Sequence, residues 1–284
     1  MVTEIVTKTT NRRGLSKKET YLLSTLSEKK MRIFEIKNII VELNCSYNYA
    51  KVIANRLVKK KWTLILEKGK YLIVPLEAGA ESIYTEHEFA IASELVQPYY
   101  IAYWSAMNYY GMTEQVPFTI FIASTKRRKN KTIHDIQYEF ITLSKRKFFG
   151  FETVNITGKN ICISDKEKTI ADCLDHPEYC GGITEAAKAL WNARKEIDFK
   201  KLINYVMRMN NRAILKRLGY LIHKLEINIP ENIDKELKDN ISKGYAVLDT
   251  VKGKKGKYSS EWKLLINISD KELTEFKEKL AFLF

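Results

Sequence analysis

Cysteine is scarce in this chain: Cys45, Cys162, Cys173 and Cys180 are the four thiols in 284 residues. They are too few and too scattered for a disulfide framework at this size, so free thiols in a reducing compartment are expected. Long apolar runs are missing as well. No stretch approaches the roughly 20 apolar residues of a membrane span, and the first residues lack the apolar core of a signal peptide, so the expected localisation is cytoplasmic. There is no glycine-rich loop to cradle a phosphate. His87, His134 and His223 stand alone, without a serine or cysteine at a spacing that supports a nucleophile constellation. No period suggests a repeat architecture. What remains, with 45% hydrophobic and 29% charged residues, is a folded globular composition long enough for two domains.

The most telling absence is local. From residue 43 to residue 66 there is no Asp or Glu, although the run contains five Lys and Arg. Within it, residues 46–62 read as a helix. Ala50, Ile53, Ala54, Leu57 and Val58 recur at helical spacing as a buried stripe, and Asn48, Lys51, Asn55 and Lys59 fall on the opposite one. An ordinary solvated helix mixes both signs of charge, whereas a helix lying in a DNA groove excludes carboxylates that would repel phosphates. The flanks complete a winged helix-turn-helix pattern. Residues 16–27 place Ser16 and Glu19 at capping-box spacing before Tyr21, Leu22, Leu23 and Leu26. Residues 34–43 form a second amphipathic helix, and Asn44 and Cys45 give a tight turn before Ser46 as N-cap. After Trp62 the period becomes that of strands, with residues 63–66 and 71–74 flanking Lys68-Gly69-Lys70, a basic hairpin tip or wing. Residues 1–77 hold sixteen Lys and Arg against seven Asp and Glu, so +9 of the formal +14 sits in about a quarter of the chain.

This pattern nominates Ser46, Tyr47, Asn48, Lys51 and Asn55 for the major groove, because Asn pairs bidentately with adenine and Lys contacts guanine or phosphate. Arg56, Lys59, Lys68 and Lys70 are nominated for phosphates or the minor groove. Packing at the helix N-terminus competes as the explanation for one of Tyr47 and Tyr49. Arg12 and Arg13 read either as an arm along the DNA backbone or, more plainly, as an untethered tail. Winged helices also serve protein interaction, and a lysine-rich face is often only solvated; the absence of acids over the helix favours DNA.

Proline, glycine and small residues at 74–83 mark a linker. Beyond it, helices are expected at 86–96 and 100–110, the latter crowded with Tyr99, Tyr100, Tyr103, Trp104, Tyr109 and Tyr110. Strands are expected at 118–123, 136–143, 149–155 and 160–163, forming a small antiparallel sheet. Helical spacing then recurs at 166–174, 183–193, 199–209 and 212–225, with a short helix at 233–237, strands near 245–248 and 262–267, and a last helix at 270–284. The fold class is therefore α+β: a winged helix-turn-helix domain, 1–77, followed by a larger mixed α/β domain, 78–284, with C-terminal helices.

Catalytic chemistry fares poorly in the second domain. Asp165, Glu167, Asp172, Asp175 and Glu178 invite a metal-dependent nuclease, but they lie on a helix, and Glu139 on its strand is followed by Phe140 and Ile141 rather than by the Glu-x-Lys of restriction-type sites. Asp165 as N-cap and Glu167 in the first turn are explained by the helix dipole. Cys173, His176 and Cys180, with Cys162, could bind zinc, yet structural sites usually show two close ligand pairs. No catalytic residue, cofactor or metal is nominated. The basic runs 126–131 and 252–257 read as surface loops that are ordinarily only solvated, with added phosphate contacts or another polyanion as the functional alternatives.

Lys168-Thr169-Ile170-Ala171-Asp172-Cys173-Leu174-Asp175, then Pro177-Glu178 and Gly181-Gly182-Ile183, resemble the antitoxin domain of the AbiEi family. Arg217-Leu218-Gly219-Tyr220-Leu221 and Trp262-Lys263-Leu264-Leu265-Ile266-Asn267 extend the resemblance over nearly the whole chain. It rests on the ordered set, since no single piece is a catalytic signature. The resemblance implies a type IV toxin-antitoxin system: a negative autorepressor, binding inverted repeats in its own promoter through the winged helix. It further implies a second domain that counteracts a nucleotidyltransferase-like toxin without a stable complex. One recognition helix reads only a few base pairs, so two copies are expected on a repeat, as a preformed dimer or one assembled on DNA. The alternatives are a winged-helix regulator of defence or mobile-element genes with a ligand- or partner-binding second domain and, least supported, a nuclease with a DNA-targeting head.

Overall fold

Ser16 begins the first helix as the sequence requires. Its side chain accepts from the Glu19 backbone N–H, and the Glu19 carboxylate accepts from the Ser16 N–H at 2.7 Å, satisfying donors that a helix start leaves open. This computed structural model describes residues 12–74, 76, 87–116, 118–133 and 136–281. The chain divides into two units, Met1–Glu86 and His87–Phe284. Most of the expected linker, the boundary expected after residue 77, and His134 lie outside the described residues.

In the first unit the order is α1 (Lys17–Glu28), β1 (Ile33–Glu35), α2 (Ile36–Leu43), α3 (Tyr47–Lys59), β2 (Thr63–Glu67) and β3 (Lys70–Ile73). The run expected as one helix from residue 34 opens instead as a strand. Phe34 lies opposite Tyr71 in the antiparallel β1–β3 ladder, with their rings stacked 5.6 Å apart. The Glu35 N–H then donates to Asn38 Oδ1 at 2.7 Å, which starts α2 one residue later. The sheet order β1-β3-β2 puts β3 in the middle and β2 at an edge, joined to β3 by the hairpin. Leu22, Leu26, Phe34, Ile39, Ala50, Ile53, Ala54 and Leu57 close the core between sheet and helices.

Glu19 does more than cap. Its side chain is buried and meets Lys60 Nζ at 2.6 Å, tying α1 to the end of α3. Burial pushes its carboxyl pKa up, but hydrogen bonds from Lys60 and Ser16 outweigh this and hold it below the ordinary value. A depressed carboxylate stabilises above its unfolded pKa and loses that stabilisation as pH falls through the folded value. We expect Glu19→Gln to lower the stability of this unit by about 1–3 kcal/mol at neutral pH. In urea titrations the gap to wild type should narrow as pH falls below the ordinary carboxylate range and through the lowered folded pKa, where the wild-type carboxylate becomes protonated too; a gap constant with pH would contradict the ion-pair account.

The second unit opens with α4 (Glu88–Leu95), β4 (Tyr100–Ile101), α5 (Tyr103–Tyr109), β5 (Thr119–Ser124), β6 (Lys131–Ile133), β7 (Ile136–Thr142), β8 (Phe151–Ile156) and β9 (Lys159–Ser164). It continues with α6 (Lys166–Asp175), α7 (Ile183–Ala193), α8 (Phe199–Met209), α9 (Arg212–Lys224), α10 (Glu231–Asp239), β10 (Ala246–Val247), β11 (Lys257–Ser259), β12 (Leu264–Ile266) and α11 (Asp270–Ala281). The molecule is thus mixed α+β.

Two expectations are corrected here. The six-stranded sheet, ordered β6-β7-β5-β4-β9-β8, is mixed rather than antiparallel: β5 pairs with β7, and β4 with β9, in parallel. The short strand β6 pairs antiparallel with the outer side of β7, so β7 returns beside β5 in the same direction. Alternation along each strand could not reveal this, because it reports which face is buried and not which strand lies alongside. The helix expected at 100–110 is likewise shortened, since Tyr100 and Ile101 are taken into the middle of the sheet. Helices α6 to α9 pack beside the sheet around Ile170, Leu174, Leu190, Leu202, Val206 and Leu218. Among the described residues no helix is long and apolar enough to cross a membrane.

Candidate nucleic-acid interface

Helix α3 starts at Ser46, whose hydroxyl accepts from the Tyr49 N–H at 3.3 Å. The preceding turn is made by Asn44 in the left-handed region, φ 44° and ψ 58°, where asparagine is tolerated. Ala50, Ile53, Ala54 and Leu57 are buried, while Val58 is only partly so. On the other side Ser46, Tyr47, Asn48, Lys51, Asn55, Arg56 and Lys59 are all exposed. The structure therefore brings seven of the nine nominated residues onto the outer face of one helix. Lys68 is exposed at the hairpin tip, where Gly69 supplies the positive φ of 82°.

The two tyrosines separate cleanly. Tyr47 is 58% exposed and lies within cation–π reach of Lys51 at 5.5 Å, whereas Tyr49 packs against the core and carries Lys18 over its ring. Lys70 departs from the expectation of a free phosphate ligand. Its side chain is mostly buried and its ammonium lies 3.8 Å from Glu35, which Lys37 also holds at 2.8 Å. The Lys37 hydrogen bond and both lysine charges outweigh burial and keep the Glu35 carboxyl below its ordinary pKa. Arg12 and Arg13 are not an untethered tail: Trp62 Nε1–H donates to the Arg13 carbonyl at 2.9 Å, and the Arg12 guanidinium lies 4.8 Å above the Trp62 ring.

The electrostatics of α3 follow from this pairing. Glu19, Glu35 and Glu42 are each held by lysines outside the α3 face: Lys60, Lys37 with Lys70, and Lys29. Lys51, Arg56, Lys59 and Lys68 have no ion pair among the described residues, so their charge is directed outward. One residue of this face escaped the sequence reading. Val52, 43% exposed, lies one turn from both Asn48 and Arg56. The signal was its place on the helical wheel, between Asn48 and Arg56 and outside the stripe of Ala50, Ile53, Ala54, Leu57 and Val58.

The second-unit motif residues have a different fate: nearly all are interior. Lys168 and Asp172 are fully buried and ion-paired one helical turn apart, and the Tyr100 hydroxyl donates to Asp172 at 3.0 Å. Burial raises the Asp172 pKa, against the opposing pull of Lys168 and Tyr100. The Thr169 hydroxyl donates to the Asp165 carbonyl at 2.8 Å, and Pro177 opens a single 3-10 turn, Pro177–Cys180. That turn ends in Gly181 at φ 81°, and Gly182 follows at φ 92°. Arg217, 4% exposed, donates to the carbonyls of Leu174, Val247 and Leu248 at 2.6, 2.9 and 3.1 Å, stitching the end of α6 to β10. Gly219 is dictated by Trp262, since a Cβ there would meet the indole at 1.9 Å. Tyr220 is half-buried, which pushes its phenol up to about 12. These residues assemble a scaffold.

The carboxylates and thiols that invited enzyme readings are engaged in the same way. Asp165 caps α6 and accepts from Tyr205, and Glu167 accepts from the Asp198 N–H and from Lys201. Cys173 contacts Met107, Cys180 points to the Pro177 carbonyl, and His176 meets Glu178 and Asp175. Among the described residues no three His, Cys, Asp or Glu side chains gather as a metal site. A shallow apolar hollow of about 360 Å³ lies along Trp104, Gln115, Val116, Phe118, Thr119 and Phe121, with Phe118 85% exposed at its rim.

No protein-family model matches the chain, and no curated protein matches it. Among solved structures it is similar to the crystal structure of the RV2827C protein from Mycobacterium tuberculosis. The TM-score is 0.69 at 11% identity, covering 96% of this chain and 99% of the other. At that identity the likeness concerns the fold.

Proposed function

We propose that the first unit is a winged helix-turn-helix that binds duplex DNA through α3, and that the chain is the autorepressing antitoxin of a type IV system of the AbiEi kind. The observation that carries the DNA reading is the outward face of α3: Asn48, Lys51, Asn55, Arg56 and Lys59 side by side and exposed, with neighbouring carboxylates neutralised elsewhere. The order α1-β1-α2-α3-β2-β3 with a β1-β3-β2 sheet supports it, since it sets α3 after a tight turn and the β2–β3 hairpin as a wing. In this reading Asn48 and Asn55 read adenine edges, and Val52 offers its methyl groups to thymine. Lys51, Arg56, Lys59 and Lys68 bind phosphate or guanine. The antitoxin half of the proposal rests on the motif resemblance, and the interior placement of those residues makes them the frame of the second domain rather than its working surface.

A reporter driven by the DNA upstream of the chain's own gene tests the repressor role. The wild type should silence it, and the Lys51→Ala/Asn55→Ala variant should restore expression to the level without repressor. Silencing by both proteins would remove α3 from the account. The antitoxin role requires a nucleotidyltransferase-like toxin encoded alongside, whose growth arrest the chain relieves on co-expression. The hollow beside Phe118 favours a second reading, a regulator whose second domain binds an apolar ligand or partner; relief of growth arrest by a variant with Phe118→Ser would leave that hollow outside the antitoxin role.

A further inference from the structure

The small sheet of the second unit has the order β10-β12-β11, with Ala246 opposite Leu264 and Tyr258 opposite Leu265. Ala246, Leu264 and Ile266 pack into the core. Because side chains alternate along a strand and cross-strand partners share a face, Tyr258, Leu265 and Val247 look the other way. On that outer side Tyr245 and Tyr258 meet edge to face, ring centroids 5.1 Å apart and planes at 85°. They are 50% and 69% exposed. Neither ring belongs to the two core clusters described above, although Leu265 on the same face is buried.

The charge around them is mostly positive. Residues 250–260 contain four lysines and no acid. Lys252 is taken by Glu272, but Lys254, Lys255 and Lys257 are exposed and have no ion pair among the described residues. Lys263 brings its ammonium to 5.7 Å from the Tyr245 ring, and Lys243 is exposed two residues before Tyr245. The nearby carboxylate of Glu261 faces Lys238 at 3.9 Å.

We propose that this face binds single-stranded RNA, with Tyr258 as a stacking platform braced by the edge-on Tyr245, and with Lys254, Lys255, Lys257 and Lys263 on the phosphates. Each half of the pattern excludes a simpler partner. An acidic peptide satisfies the lysines but leaves the exposed rings without a role, and a DNA duplex satisfies the lysines while keeping its base faces inside the stack. Unpaired bases meet both needs, because a base stacks on an aromatic ring while the backbone follows the cations. In a cell such bases are offered chiefly by the loops and ends of RNA. The proposal stands apart from the reading of α3.

Fluorescence anisotropy of the full chain with a labelled oligouridylate, which has no self-structure, tests it. Tyr258→Ala should weaken binding about tenfold and Tyr245→Ala/Tyr258→Ala further, whereas Tyr258→Trp should bind as wild type. Changing Lys254, Lys255 and Lys257 to Gln should flatten the salt dependence by roughly 2, at about 0.7 per phosphate contact. Both rings are exposed, so the variants should melt as wild type. The Lys51→Ala/Asn55→Ala variant should keep its RNA affinity. Three results would overturn the proposal: no RNA binding by the wild type, tyrosine variants that bind RNA as wild type does, or an equal loss of duplex DNA and RNA affinity in those variants. Tighter binding of a single-stranded DNA of the same length would overturn the assignment to RNA.

Discussion

Replacing Lys168 by methionine should destabilise the second unit by about 3–5 kcal/mol, the cost of breaking a buried ion pair from one side. Methionine fills the aliphatic space of lysine, so the loss is electrostatic rather than a cavity. Lys168 and Asp172 share the interior of α6, and the Tyr100 hydroxyl bridges them from β4 in the middle of the sheet. Without the ammonium, Asp172 keeps one hydrogen bond and no counter-charge. Its pKa, already raised by burial, should rise further. A group with a raised folded pKa binds more protons folded than unfolded, so the stability of Lys168→Met should improve as pH is lowered towards the ordinary carboxylate range. The Lys168→Met/Asp172→Leu variant should recover most of the loss, because removing both partners of a buried pair is often neutral. Urea denaturation of the three proteins between pH 5 and 8 checks this; a double variant no better than the single one would mean that the pair is not what holds α6 to the sheet.

The second large effect concerns DNA. Lys51→Ala/Asn55→Ala should weaken binding to the chain's own promoter about 100-fold, since a bidentate base contact is worth about 1–3 kcal/mol and a phosphate contact adds to it. Losing one phosphate contact should also make log K shallower in log salt by about 1. Lys70→Ala should cost far less than Lys51→Ala. Lys70 is engaged with Glu35, while Lys51 meets no carboxylate among the described residues.

The contrast between Lys51 and Lys70 shows where the sequence was legible. Helical spacing placed Lys51 opposite Ala50, Ile53, Ala54 and Leu57, and those four are buried. Local rules of this kind also located the Ser16 and Ser46 caps, the hairpin around Gly69, and α7 and α8 to the residue. Lys70 needed knowledge of a partner 35 residues away, brought near only when β1 pairs with β3. The same long-range information decides that β5 and β7 run parallel and that Tyr100 lies in a strand. Motif residues such as Arg217 and Gly219 stood out as a set, but their roles as a carbonyl staple and as a seat for Trp262 depend on chain 30 to 43 residues distant. Tyr245 and Tyr258 were invisible for a related reason. Aromatic residues in a sequence are assigned to the core by type, and only the pairing of β11 with β12 turns Tyr258 outward.

The account's central claim, that α3 reads duplex DNA, is tested most directly by a gel-shift titration of the full chain on its own upstream promoter duplex beside a scrambled duplex of equal length. We predict selective shifts in two steps on the promoter, as two copies fill an inverted repeat, and loss of that selectivity in the Lys51→Ala/Asn55→Ala variant. Equal, weak binding of wild type and variant to both duplexes would contradict it and reduce the basic face of α3 to a solvated surface.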